Sequence, residues 1–380
     1  MTPVELLIGI ILLLLAVPDL CERSGRPALL YTVYLVVGLL IGPSLNVDVR
    51  DLLVEVGRFG FILLLFQIGL EIDLPPVKSL LTPAKLALKW SAVQFPFVMA
   101  LAMLAGLDVT ESFLAAAALN GCSVSMTFVA WKHFPAPTPE NKRHLLLWMV
   151  TIELVSIVIL TAGSTLLKHG FGPAFLGQFL LITAVVLLIS KYADRWTSSL
   201  ARRLPSTVRL KGHYIVLFVF VVAALGARLG LSEAKSAFFL GLFISRATHE
   251  GMALEHHLKP ISQHLLIPIF FVSLGAFVPA DLLLTRTGLY ALLAAVLLLA
   301  LRDFLHRTYV QSGCERRAFL LVCPNLTIVA IAANTMRNAG ADPRHIGWVV
   351  LTGLVLSVVS LLLLPARSVV RAPAPDAGPP

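Results

Sequence analysis

The stretch Thr151-Ile152-Glu153-Leu154-Val155-Ser156 sets one carboxylate well inside the apolar run from Leu145 to Leu167. In a helix that spans hydrocarbon, such a group is costly unless it is paired, hydrated or protonated. Its natural chemistry is to take up a proton or face a small cation. A second ionisable group, Arg302, lies late in the run Leu297-Leu298-Leu299-Ala300-Leu301-Arg302-Asp303-Phe304. An arginine keeps its proton in proteins. It can therefore serve Glu153 as a counter-ion or switch partner when no substrate ion is bound, but not as a proton carrier. Asp303 is its candidate local partner. The plainer alternatives are a protonated glutamate packed between helices and an arginine that snorkels to the membrane edge beside Asp303 and Arg307.

Two polar interruptions supply further oxygens. Asn120-Gly121-Cys122-Ser123-Val124-Ser125, followed by Thr127, puts glycine and small polar residues in the middle of one apolar segment. Pro324-Asn325-Leu326-Thr327 does the same in another, where Pro324 lacks an amide hydrogen and breaks the helical ladder. Backbone left unpaired at that depth is tolerated where it lines a cavity or binds something. Asn120, Ser123, Ser125 and Thr127, with freed carbonyls and Glu153, would make an oxygen shell suited to a hard cation. Two opposed breaks would also aim half-helix dipoles at one point. Kinked helices with Ser/Thr back-bonding and no ligand are the alternative.

The elements that must position these groups are membrane spans. The chain of 380 residues is 58% hydrophobic and 13% charged, against ~25% charged in soluble domains. Thirteen apolar segments are expected, roughly 4–20, 28–44, 54–74, 83–106, 110–132, 141–169, 173–199, 211–230, 233–248, 258–278, 281–309, 315–338 and 344–365. Lys and Arg concentrate in the odd-numbered loops and the tail. That bias places the C-terminus in the cytoplasm and the N-terminus outside. The two halves resemble each other. Val36 to Ile41 matches Phe239 to Ile244, Phe61 to Gly69 matches Ile267 to Gly275, and the break at Asn120 matches the break at Pro324, all at nearly equal intervals. The expected fold class is all-α and polytopic. Two inverted repeats of six helices are joined by a linker helix, with two broken crossing helices, a pattern that points to a secondary transporter.

Soluble-enzyme chemistry has no foothold in the sequence. There is no P-loop, G-x-S-x-G, H-E-x-x-H or Rossmann glycine set. Cys21, Cys122, Cys314 and Cys323 form no C-x-x-C pair. His133, His144, His213, His249, His256, His257 and His264 fall in or near loops without the setting of a metal site. No cofactor is expected. The net charge of +9 reflects loop anchors and not nucleic-acid binding. Gln67, Glu71 and Asp73 read as interfacial or packing residues, the basic loop Asp194 to Lys211 as an anchor, and the tail as disordered with no soluble domain after it.

Several of these segments resemble a known family. Leu63 to Leu74 (LLLFQIGLEIDL), Gly38-Leu39-Leu40-Ile41-Gly42-Pro43, Leu229 to Leu242, and Pro268-Ile269-Phe270-Phe271-Val272-Ser273-Leu274-Gly275 are similar to motifs of the second monovalent cation–proton antiporter family. This is the group of Kef-type potassium/proton and related sodium/proton exchangers. The resemblance covers about residues 5 to 365. It implies a sodium–proton antiporter-like fold and a homodimer. Glu153 takes the place of the family's ion-binding aspartate, Ser123 to Thr127 that of its first break, and Arg302 that of its embedded basic residue. The implied organisation is a dimer panel from 1–82 and 211–280, an ion-binding core from 83–169 and 281–365, a linker helix and basic loop at 170–210, and a tail at 366–380. The core would move against the panel. Three departures stand out: glutamate for aspartate, Ile152 where many relatives carry a polar or acidic residue, and CPNLT at the second break.

The expected function is exchange of Na⁺ or K⁺ for H⁺ across a bacterial inner membrane. With one carboxylate and a fixed arginine the exchange would be electroneutral. A transport-inactive binding or regulatory membrane protein, and an organic-anion carrier with Arg302 as the anion site, are the alternatives.

Overall fold

The computed structural model describes residues 3–24, 29–71, 77–124, 127, 131, 134, 138–169, 211–228, 233–244, 248–249, 252–253, 262–310, 316–323 and 326–364. The expected span 173–199, the basic loop and the tail lie outside the described residues.

Helices account for nearly all of what is described. They are α1 (Pro3–Arg23), α2 (Leu30–Ile41), α3 (Val47–Glu71), α4 (Val77–Leu104), α5 (Val109–Asn120), α6 (Pro139–His169), α7 (Lys211–Arg228), α8 (Glu233–Ile244), α9 (Ile267–Phe277), α10 (Arg286–Tyr309), α11 (Leu326–Asn338) and α12 (Pro343–Leu363). A 3-10 helix, Arg316–Val322, precedes α11, and a short hairpin pairs Thr248–His249 antiparallel with Met252–Ala253. Among the described residues six helical stretches are long and apolar enough to cross a membrane: Val47–Leu70, Thr82–Leu104, Pro139–Leu160, Arg286–Tyr309, Arg316–Asn338 and Pro343–Leu363.

The local signals are ordinary ones. Asp108 caps α5 by accepting the Thr110 and Glu111 amides, each at 2.7 Å, while the Glu111 carboxylate accepts the Asp108 amide at 3.1 Å. Asp342 caps α12, with Pro343 following it in the first turn. Each cap is preceded by a glycine with positive φ, Gly106 at 98° and Gly340 at 81°, which turns the chain back into the bundle.

One group of helices, α2, α3, α7, α8 and α9, packs through backbone-to-backbone approaches. A Cβ added to Gly38 would stand 2.1 Å from the Val272 carbonyl oxygen, and one added to Gly275 would stand 2.1 Å from that of Leu35. A Cβ on Gly241 would stand 2.2 Å from the Phe66 carbonyl oxygen and 2.9 Å from the Gly69 Cα. Small residues at helix contacts are how membrane helices gain packing energy when lipid is as apolar as leucine. The glycines matched by sequence, Gly38 with Gly241 and Gly69 with Gly275, thus cross over. The helix of Gly38 meets that of Gly275, and the helix of Gly241 meets that of Gly69. A second group joins α4, α5, α6, α10, α11 and α12. Here Trp90 and Trp148 meet edge-to-face at 5.1 Å, and Phe95 and Phe113 likewise at 5.1 Å. The groups touch where α9 meets α11 and where α2 meets α12. Near the first of these contacts the Arg50 and Arg337 guanidiniums each lie 5.7 Å from the centre of the Phe277 ring.

Replacing Gly38 or Gly275 by valine is expected to cost about 1–3 kcal/mol, the usual range for overpacking. A lowered thermal midpoint in detergent is the readout. Gly9→Ala in α1, where nothing lies within 4 Å of an added Cβ, should leave that midpoint in place.

Candidate functional site

The first interruption begins where α5 ends. After Asn120 the chain is extended at Gly121, with φ −76° and ψ 172°. A helical turn resumes at Val124, and the Thr127 amide donates to the Ser123 carbonyl at 3.3 Å. The middle of α6 lies against this gap. Its Glu153, 5% exposed, accepts the Val124 amide on Oε2 at 3.1 Å. The carboxylate therefore sits at the start of a helical turn, where exposed amides favour negative charge. Gly121 is confined here: an added Cβ would lie 2.7 Å from Ile328 Cδ1 of α11 and 2.9 Å from Ser156 Cβ of α6. The Cys122 thiol donates to the Met149 carbonyl at 3.1 Å.

The neutral oxygens gather around the same gap. Asn120 is fully buried, and its Nδ2 donates to Ser91 Oγ of α4 at 2.9 Å. Its Oδ1 has no hydrogen-bond partner among the described residues. Thr127 Oγ1 donates back to the Ser123 carbonyl at 2.8 Å, with the Val124 carbonyl at 3.3 Å. Thr327 Oγ1, one residue into α11, donates to Ser123 Oγ at 3.1 Å and so ties the two interruptions together. Ser125, Pro324 and Asn325 lie outside the described residues.

Arg302 bonds in this structure to groups other than Glu153. It is fully buried on α10 and does not snorkel. Its Nε donates to Gln94 Oε1 at 3.1 Å, its Nη1 to the Val322 carbonyl at 2.9 Å, and its Nη2 to the Leu119 carbonyl. None of its hydrogen bonds goes to Glu153. Leu119 lies in the last turn of α5 and Val322 ends the 3-10 helix before α11, so the guanidinium closes the C-terminal ends of both half-helices. Each such end carries roughly half a negative charge, and one guanidinium balances the pair. Asp303 is not its partner either, for it pairs with Arg307 one turn further along α10, on a side exposed to the surroundings. A partly exposed acid finds the flexible cation at i+4, while a buried arginine turns to the orphaned carbonyls that hydrocarbon cannot solvate.

The residues of α4 were missed by sequence reasoning. Gln94 is fully buried; its Oε1 accepts from Trp90 Nε1 at 2.8 Å as well as from Arg302, and its Nε2 donates to the Leu119 carbonyl at 3.0 Å. Ser91 anchors Asn120. The available signal was Ser91 and Gln94 three apart in Lys89-Trp90-Ser91-Ala92-Val93-Gln94-Phe95, one polar stripe on an apolar helix. Arg302→Leu would orphan the Val322 carbonyl and leave Leu119 with Gln94 alone. A buried unpaired acceptor costs about 1–3 kcal/mol, so the thermal midpoint of the purified variant should fall clearly below wild type. Arg302→Lys, which keeps the charge but loses the planar fork, should fall between the two.

Comparison with known proteins agrees with this architecture. The sodium/hydrogen exchanger transmembrane family matches residues 9–365. A probable Na⁺/H⁺ antiporter of Methanocaldococcus jannaschii is 25% identical over 374 residues, covering 94% of this chain and 93% of that one. The Na⁺/H⁺-K⁺ antiporter GerN of Bacillus cereus is 25% identical over 273 residues, covering 69% and 68%. The plant K⁺ efflux antiporter 6 of Arabidopsis thaliana is 27% identical over 358 residues, covering 90% of this chain and 59% of its own. Among solved structures, the sodium–proton antiporter MjNhaP1 of M. jannaschii superposes with a TM-score of 0.67 over 95% of this chain and 96% of that one, at 14% identity. A buried carboxylate set against an interrupted helix, apolar spans along the chain, and a family match over nearly its whole length converge: this multi-pass membrane protein is a transporter and not an enzyme, and it belongs to the sodium/hydrogen exchanger family.

Proposed function

We propose that the protein exchanges one monovalent cation, Na⁺ or K⁺, for one H⁺, and that both load in turn on Glu153. The observation that carries this reading is the Glu153 carboxylate itself. It is buried beside the first interruption, its Oε2 accepts the Val124 amide, and it neighbours the break that begins at Asn120, whose Oδ1 has no partner among the described residues. A proton neutralises such a carboxylate, and so does a cation completed by neutral oxygens. Asn120, Ser123 and Thr127 carry such oxygens at the break, and Ser125 adds one by its place in the sequence. Relatives named for Na⁺, K⁺ and ammonium exchange support a monovalent cation as the substrate class.

Arg302 keeps its charge and its backbone partners in either loaded state. The translocating unit then carries the same net charge with H⁺ or with one cation, and exchange is electroneutral. The division of the helices into two groups supports alternating access in which α4–α6 and α10–α12 move as a core against a panel of α1–α3 and α7–α9. The reciprocal glycine packing supports a pseudo-two-fold relation between the halves, and the panel is the surface for a homodimer. The Lys/Arg bias supports an outer N-terminus and a cytoplasmic C-terminus in a bacterial inner membrane. Arg302's commitment to two backbone carbonyls and Gln94 counts against the organic-anion alternative, since three of its five N–H groups, one on each nitrogen, already hold partners.

In proteoliposomes carrying a pH-sensitive dye, wild type should give proton flux on addition of Na⁺ or K⁺, and Glu153→Gln should give none. Because the proton must leave before the cation binds, the apparent KM for the cation should fall as pH rises. A steady current under the same gradients would refute one-for-one exchange.

A further inference from the structure

Serine and threonine hydroxyls inside membrane helices usually bond to the carbonyl one turn back. Thr151 does so to Leu147 at 2.6 Å, Thr352 to Trp348 at 2.8 Å and Ser360 to Leu356 at 2.6 Å. Ser156 departs from this habit. It is fully buried on α6, and its Oγ has no hydrogen-bond partner among the described residues. Three residues on from Glu153, it shares that residue's face of the helix. Its Oγ lies 2.9 Å from where a Cβ of Gly121 would stand. The gap at Gly121 is therefore faced by the unbonded Ser156 Oγ from the helix across it, and Asn120, the residue before it, carries a second buried oxygen, Oδ1, without a partner among the described residues.

We infer that Ser156 is an oxygen ligand of the transported cation and a determinant of which cation is taken. The inference rests on the proposed exchange function and adds a residue to its site. Leaving two acceptors dry and unpaired is unfavourable in hydrocarbon. A hard cation held by Glu153 satisfies both at once. A proton on Glu153 does not, since it is consumed by a single oxygen. The hydroxyl rotates freely. With the cation present its lone pair faces the ion, and with the proton present a change of χ1 brings its hydroxyl to the carbonyl one turn back. Ser156 thus strengthens cation binding without strengthening proton binding. Its removal weakens the cation in the competition for Glu153.

The test compares the purified full chain with Ser156→Ala and Ser156→Cys, using Na⁺, K⁺, Li⁺ and Tl⁺ as probes. Both cation-dependent thermal stabilisation in detergent and cation-driven proton flux in proteoliposomes are read. Ser156→Ala should raise the apparent cation KM about tenfold or more, the loss of one ligand to a charge, while the maximal flux at saturating cation stays near wild type. Ser156→Cys should move the ranking toward Tl⁺, because sulfur is the softer ligand; a merely structural serine would not shift that ranking. An unchanged KM in Ser156→Ala, or an unchanged ranking in Ser156→Cys should the alanine variant fail to fold, overturns the inference while wild-type exchange leaves the proposed function standing. A wild type that neither exchanges nor is stabilised by any of the four ions overturns both.

Discussion

A backbone carbonyl without a partner inside hydrocarbon has no water to turn to, and the centre of this protein is arranged around that constraint. Interrupting two helices exposes amides on one side of each gap and carbonyls on the other. The carbonyl ends, Leu119 and Val322, are closed by a single guanidinium from α10. That guanidinium is in turn held by Gln94, which also serves Leu119. At the start of the resumed helix, the Val124 amide is taken by the Glu153 carboxylate. Charge of each sign thus meets the helix end that favours it.

This division of labour bears on how such a site can carry charge. Were Arg302 bonded directly to Glu153, every loading event would have to break a buried ion pair. Held instead by two carbonyls and a glutamine, the arginine supplies a fixed positive field at the breaks. Under the proposed exchange, the carboxylate is the group that loads. The neutral oxygens are split in the same way. Thr327 Oγ1 donates to Ser123 Oγ and so binds one interruption to the other, whereas Asn120 Oδ1 has no hydrogen-bond partner among the described residues.

Much of this was legible in the sequence, because it is written in local patterns. Apolar length locates the spans, and the described helices occupy the expected segments. Charged first turns extend some of them: α3 starts at Val47 and not near 54, since Asp48, Arg50, Asp51 and Glu55 continue the helix beyond the apolar core. Glycine and small polar residues mid-span locate the first interruption. Spaced glycines in the two halves become the close contacts of α2 with α9 and of α3 with α8. The partners of Arg302 were not legible. Two opposite charges at similar depth invite pairing on paper, and only the tertiary arrangement reveals that orphaned carbonyls stand nearer to the guanidinium's reach. Ser91 and Gln94 escaped notice for the same reason, as a polar stripe on one helix does not name the helix it will face.

Under the proposed exchange, one carboxylate accepts either a proton or a cation. Calorimetric titration of the purified chain with Na⁺ or K⁺, in buffers of different ionisation enthalpy, counts the protons released as the cation binds. At a pH where Glu153 begins protonated, the account predicts release of one proton for each cation bound, and no cation-linked release from Glu153→Gln. Cation binding to wild type without proton release, or with the same release from the variant, would contradict it.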